Sequence, residues 1–321
     1  MTAATRLPVR SLVGAVVVAA LLCVALFGDR YAASVLVYIA VYGILASSLG
    51  LVVGFAGQIS LGHAAFFALG AYGTGILTAT AGWWSIPAMA VGIAVCAVVG
   101  FVLGFVLLRL SGYYLAMGTL AFNSVVTVLL VSMAGLTGGG TGLAGIPPLD
   151  LFGWQVGDVS TFAVIAVLAA TAVVVSNALI HDSAAGGALF AVHDDEAMAA
   201  TVGIDVARVK RAAFTLAAAQ AGIAGGLFAH HLRFLAPSDF SVIASVTLVV
   251  MVLIGGGARP WGPVLGATVL TLLPEFITEF EDYSLLITGG LLIVVLVFLP
   301  KGLVSLPDLV VPRKRRAGAS S

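Results

Sequence analysis

The stretch GLVVGFAGQISLGHAAFFALGAYGTGIL, residues 50–77, decides how the rest of the chain is read. It carries glycines at 50, 54, 57, 62, 70, 73 and 75 and sets Gln58, Ser60 and His63 between two apolar runs. Polar side chains at membrane depth cost free energy unless they face protein or a wet cavity, and the same holds for backbone that leaves a helix there. Gly57, Gln58, Ser60, Gly62 and His63 therefore predict a broken or re-entrant segment bordering a transport path. For the glycines taken alone, close packing of neighbouring helices is the stronger reading, with Gly70 and Gly75 beside Ala65 and Ala71 letting helices approach.

Composition supports a membrane setting. Of 321 residues, 61% are hydrophobic and 9% charged, against about 25% charged in a soluble domain. At roughly 20 apolar residues per crossing, the chain has room for about ten helices. Apolar windows between Gly, Pro and polar breaks fall near 11–27, 32–53, 64–80, 87–108, 113–133, 160–180, 211–229, 240–256, 262–280 and 283–299. These runs are too long and too evenly apolar for barrel strands. The expected fold is an all-α polytopic membrane protein with about ten transmembrane helices and Gly-rich broken or re-entrant segments. Its parts are an N-terminal segment 1–10, one transmembrane domain over 11–310 and a basic tail over 311–321 suited to anionic headgroups. Arg6 and Arg10 ahead of the first run, with no convincing cleavage site after it, read as an anchor helix.

Ten spans with both termini in the cytoplasm put Arg6, Arg10, Arg109, Arg208, Lys210, Arg211, Arg259, Lys301, Arg313, Lys314, Arg315 and Arg316 inside. Only Arg30 and Arg233 fall outside, the bias expected of positive-inside topology. The acidic cluster Glu275, Glu279, Glu281 and Asp282 lies outside on that count. Two long loops then sit on opposite faces. The outer one, 134–159, holds the Gly-rich run TGGGTGLAGIPP. The inner one, 181–211, reads as helix from Ala184 through Ala200 with a stop at Gly203, and its apolar face needs a partner.

Several chemistries are absent. The three lysines, Lys210, Lys301 and Lys314, lie outside any Gly-Lys-Ser/Thr context, so no phosphate-cradling loop exists. No catalytic triad order, metal-ligand spacing or dinucleotide fingerprint stands out, and the 14 basic and 14 acidic residues cancel, which leaves no global charge to attract nucleic acid. Cys23 and Cys96 sit in apolar runs and read as packing residues. His230, His231 and Arg233, close to Asp239, read as interfacial anchors or a contact for a soluble partner rather than a metal site, and His181 as a span-end residue. A second Gly/Pro break, GGGARPWGP over 255–263, repeats the spacing of Gly57 and Gly62 at Gly257 and Gly262, a thin hint of an internal repeat.

The segments GQISLGHAAF (57–66), SGYYLAMGTLAF (111–122) and TGGGTGLAGIPP (137–148) are joined by a run from Asp194 through Gly203-Ile204-Asp205 to Gly262-Pro263-Val264-Leu265-Gly266 and Leu273-Pro274-Glu275. Together, in order and over nearly the whole chain, they resemble the M-type permease subunit of branched-chain amino acid ABC transporters; urea-type permeases share much of the pattern. The resemblance implies a non-enzymatic subunit of a bacterial cytoplasmic-membrane importer for branched-chain amino acids. Its implied partners are a homologous H-type permease, two cytoplasmic ABC ATPases that bind the ATP, and an extracytoplasmic substrate-binding protein, with no cofactor on this chain. It carries an ATPase-coupling role onto Asp194, Asp195, Glu196, Ala199, Ala200 and Gly203. Family members usually carry arginines just before that acidic cluster, where this chain has Gly187, Phe190 and His193, so a docking face is expected to be more apolar here. A permease for urea or short amides is the alternative substrate reading. A transporter that works without ATPases is the alternative mechanism, and it is disfavoured because few ionisable groups besides His63 and Glu275 fall within the spans.

Overall fold

The structure, a computed structural model, describes residues 21–276 apart from 24, 27, 111 and 152. Most of the first candidate span, the side chain of Glu275, the acidic residues Glu279, Glu281 and Asp282, the last span and both termini lie outside the described residues. Helix dominates what is described. In chain order the main helices are α1 (Arg30–Gly50), α2 (His63–Ala79), α3 (Ser85–Leu107), α4 (Tyr113–Ser132), the single turn α5 (Ala134–Thr137), α6 (Val159–His181), α7 (Ala184–Asp194), α8 (Glu196–Thr201), α9 (Val206–Leu232), α10 (Val242–Gly255) and α11 (Gly262–Phe276). Among the described residues five stretches are long and apolar enough to cross a membrane: Arg30–Phe55, which is α1 with a π-helical extension, and helices α3, α4, α6 and α9. Helices α10 and α11 are shorter and apolar. The protein is therefore a multi-pass helical membrane protein. Span ends read from the sequence agree with these helices to within a few residues, except that α9 begins five residues earlier, at an Asp205 cap whose carboxylate accepts from the Arg208 N–H at 3.0 Å.

The all-α expectation gains a small exception in the 134–159 loop and the segment after α9. There β1 (Leu143–Ala144) pairs antiparallel with β4 (Phe234–Leu235), and β2 (Asp150–Leu151) with β3 (Trp154–Gln155). Each strand is two residues long, enough to satisfy loop backbone and to close this end of the bundle. The Tyr72 hydroxyl donates to the Leu235 carbonyl at 3.1 Å and ties α2 to that lid.

Helices α1 and α9 form the centre, whereas α3, α4 and α6 are largely exposed apolar surface, as lipid contact requires. Lipid supplies little hydrophobic drive for helices to associate, so close approach of small residues must hold the centre together. A Cβ added at Gly70 of α2 would lie 2.6 Å from the Cα of Gly222 on α9. Packing through small residues is thus the role of Gly70, as read from the sequence. Cys96 is buried at the α3 contact, its thiol 3.2 Å from the Phe66 carbonyl, while Cys23 is exposed and does not pack inside the described bundle.

One polar clamp crosses this centre. Gln220 of α9 and Asn177 of α6 exchange amide hydrogen bonds at 2.8 and 3.3 Å, and the Asn177 amide also donates to the carbonyl and hydroxyl oxygens of Ser47 on α1, each at 3.1 Å. All three side chains are buried. In a double-mutant cycle, Asn177→Ala and Gln220→Ala should each lower stability, and the double variant should lose less than their sum. The coupling should be about 0.6–1.7 kcal/mol, the range for interhelical hydrogen bonds in membranes. Strict additivity in thermal unfolding of the detergent-solubilised protein would contradict the clamp.

Candidate functional site

The 50–77 stretch leaves its helix where the sequence indicates. Helix α1 widens into a π-helical turn over Leu51–Phe55, and the Gln58 N–H reaches back to the Val52 carbonyl at 3.0 Å. Such turns recur at functional breaks in helices. Gly57 adopts φ +66, the left-handed region open to glycine, and the chain stays out of helix until Gly62 caps α2. Unwound backbone this far inside an apolar bundle needs partners, and neighbouring helices supply them. The Leu61 N–H donates to Thr119 Oγ1 of α4 at 2.9 Å, and the Ala64 N–H to Ser245 Oγ of α10 at 3.0 Å. Ser60 accepts weakly from the Gly62 N–H at 3.4 Å.

His63 is 1% exposed, with its Nε2 2.8 Å from Ser48 Oγ. The Ser48 hydroxyl donates its proton to the Leu45 carbonyl at 2.8 Å, so the network assigns the hydrogen to Nε2 and leaves Nδ1 a bare acceptor without a partner. Gln58 is 6% exposed, and its Oε1 is likewise buried without a partner.

The 181–211 loop lies against this break. Sequence alone suggested one helix from Ala184 to Gly203. The structure divides it at Asp195, whose extended backbone (φ −160, ψ 111) ends α7 and whose carboxylate caps α8 by accepting from the Ala197 and Met198 N–H groups at 2.8 and 3.0 Å. An Asp with two free N–H groups ahead of it forms a better cap than helix interior, which is the physical reason for the division. The stop falls at Gly203 as expected, at φ +87. Glu196 at the start of α8 turns inward. It forms an ion pair with Lys210 of α9 and accepts from the Gln58 amide at 3.3 Å. The Lys210 side chain is 3% exposed and that of Glu196 43%. The His193 ring lies against Gly57, and Phe55 packs on Phe190 and His181 with ring centroids 5.2 and 5.4 Å apart. Two sets of residues that looked separate in sequence, 57–63 and 194–203, are thus one cluster.

The second break joins it from the other side. A Cβ at Gly54 would sit 2.0 Å from the Gly257 carbonyl oxygen, and Ser47 Oγ donates to the Pro260 carbonyl at 3.4 Å. The hinted repeat is only approximate: the positive φ falls on Gly57 in the first break but on Gly256, one residue earlier in register, in the second.

Residues 31–296 match the family described as the branched-chain amino acid transport system permease component. The chain belongs to this family. It is 33% identical over 290 residues to the high-affinity branched-chain amino acid transport system permease protein LivM of Salmonella typhimurium, and equally to that of Escherichia coli K12, covering 82% of this chain and 67% of each relative. It is also 25% identical to LivH of Escherichia coli K12 over 84% of this chain and 92% of the relative. No solved structure matches it.

In this permease the coupling residues expected from the resemblance divide by environment. Asp194, Asp195, Ala200 and Gly203 are exposed, Ala199 is buried beneath α8, and Glu196 faces the break. Sequence reasoning did not single out Met198 of α8 or Val202, which ends it, 66% and 76% exposed; their four-residue spacing was the available signal. At the expected more apolar docking face, Gly187 and His193 are exposed and Phe190 is half-buried; Phe190 also packs on Phe55, and the His193 ring lies against Gly57. The histidine pair is packing as well. His230 Nδ1 lies 3.0 Å from the Pro147 carbonyl and fastens the 134–159 loop to the bundle, and His231 stacks on Phe162 of α6. Among the described residues no cluster has the makings of a metal site.

Glu196→Ala strands the buried Lys210 ammonium. It should cost about 1–3 kcal/mol, below the roughly 3–5 of a fully buried pair because Glu196 is partly solvated. Glu196→Ala with Lys210→Met should recover most of that loss in thermal unfolding. A double variant no more stable than Glu196→Ala would show that the pair does not hold the loop.

Proposed function

We propose that this permease is one of two membrane subunits of an ATP-driven importer for branched-chain amino acids, with 181–211 as its cytoplasmic coupling loop. The observation that carries the reading is the Gln58–Glu196–Lys210 linkage, which joins the exposed helix α8 to the helix break through one buried contact. A push on α8 from outside the membrane reaches Gln58 without any intervening flexible segment. The names of the relatives support the substrate class, and likeness to both LivM and LivH supports pairing with an H-type permease. In this reading two cytoplasmic ABC ATPases bind the ATP, an extracytoplasmic protein delivers substrate, and this chain needs no cofactor of its own.

Met198 and Val202, with exposed Asp194, Asp195, Ala200 and Gly203, form the ATPase contact. Ala199 anchors the helix from beneath and Glu196 transmits its motion. Gly57, Gln58, Ser60, Gly62 and His63 border the inner mouth of the substrate path, where the unpartnered Gln58 Oε1 and His63 Nδ1 become available once the break opens. The one transmembrane domain, 11–310, crosses ten times with both termini in the cytoplasm. Helix ends agree with that sense: Arg109, Arg208, Lys210, Arg211 and Arg259 gather at the end that carries α7 and α8, and Arg30 and Arg233 at the end that carries the 134–159 loop.

Two measurements check the reading. Met198→Glu with Val202→Glu should lower substrate uptake at least about tenfold, the equivalent of about 1.4 kcal/mol of coupling, while membrane insertion and ATPase turnover persist. Unchanged uptake would remove α8 as the coupling contact. In intact cells, a cysteine at Gly153 should react with a membrane-impermeant maleimide and one at Gly187 should not; the reverse pattern would invert the topology.

A further inference from the structure

Where α3 meets the first turns of α9, a groove of about 350 Å³ is walled by Phe101, Ala212, Thr215, Leu216 and Ala219, with Arg208 and Arg211 at its loop end. From Arg208 to Ala219 the helix rises about 16 Å, close to half of a hydrocarbon core about 30 Å thick. The groove therefore runs one leaflet deep, starting at the level of the 181–211 loop. Arg211 is held in place by α3. Its stem crosses α3 at Gly104, where an added Cβ would meet Cγ at 2.8 Å, and its guanidinium carbon lies 3.7 Å from the centroid of the Phe105 ring. Stacking on a ring occupies the face of a guanidinium and leaves its edge donors to bind something else. Arg211 Nε is buried with no hydrogen-bond partner, and the same is true of Thr215 Oγ1, one turn deeper. Arg208 shares one edge with Asp205 at 3.4 Å, an exposed pair worth little in water.

We infer that this groove is a binding site for one anionic phospholipid of the leaflet beside the coupling loop. The phosphate lies between Arg208 and Arg211, the ester region passes Thr215, and an acyl chain follows Leu216 and Ala219 along Phe101. Charge complementarity selects an anion, and an apolar wall one leaflet long selects a lipid over a soluble phosphate. Arg208 and Arg211 share the first turns of α9 with Lys210, so the headgroup stands one residue away from the ion pair that holds α8.

The test is native mass spectrometry of the full-length permease in detergent, titrated with phosphatidylglycerol or with phosphatidylcholine of the same chains. One phosphatidylglycerol should bind specifically. Arg208→Gln with Arg211→Gln should weaken it about 25-fold, at about fivefold per arginine near a headgroup. Thr215→Trp, which fills the groove and keeps both arginines, should weaken it as much; Ala219→Trp replaces that variant if it fails to fold. Millimolar inorganic phosphate should not displace the lipid. Equal binding of the two lipids, wild-type affinity in the arginine variant or in the filled groove, or displacement by inorganic phosphate would each overturn the assignment. Because only binding is read, the result is independent of whether α8 contacts an ATPase.

Discussion

Backbone in lipid has nowhere to hide an unpaired N–H or carbonyl, and this constraint governs how the chain between α1 and α2 is built. The helix unwinds from Ala56 to Gly62 inside an apolar bundle, so the donors released there must find acceptors nearby. Thr119, Ser245 and Ser60 do that work, while Ser48 holds the ring of His63. The adjacent residue Ser47 faces the other way and joins the Asn177–Gln220 clamp and the Pro260 carbonyl. Two consecutive serines thus tie α1 to both breaks and to α6. The break is a seat for other elements, and its position depends on theirs.

This arrangement explains how a loop outside the bundle can act on its interior. The inward side of the loop is fixed by Phe190, His193 and Glu196, each in contact with a residue of the 55–58 segment. Its outward side exposes Met198 and Val202. A short, doubly capped helix carried on such a base moves as a body, because bending it would break the Asp195 cap and the buried Lys210 contact together. The proposed lipid site lies on the far face of the same first turns of α9, so the leaflet and the loop meet at one helix end.

Much of this was legible in the sequence. Apolar run lengths located the described spans, the Gly-rich stretch located the break, and Gly203 located the stop of the loop helix. Less legible was where one residue serves two purposes. Asp195, expected in the coupling region, also caps a helix, and nothing in the spacing of Phe190 and His193 reveals that Phe55 and Gly57 lie opposite. The buried amides Asn177 and Gln220 passed unnoticed, since each sits alone in an apolar run and gains meaning only from the other, 43 residues away.

By itself the sequence determined a helical membrane protein, the places where helices must break, and the helical loop between α6 and α9, because burial periodicity, glycine tolerance and capping are local properties of a chain. Tertiary structure alone decided that the break and the loop are one site, that Glu196 looks inward to Lys210 and Gln58, and that Arg211 lies on Phe105 at the head of an apolar groove. The physical reason is that the Gln58–Glu196 and Arg211–Phe105 pairings join residues more than a hundred positions apart, 138 in the first case. In a lipid-embedded bundle such partners are chosen by which small residues let helices touch, and no short window of sequence records that choice.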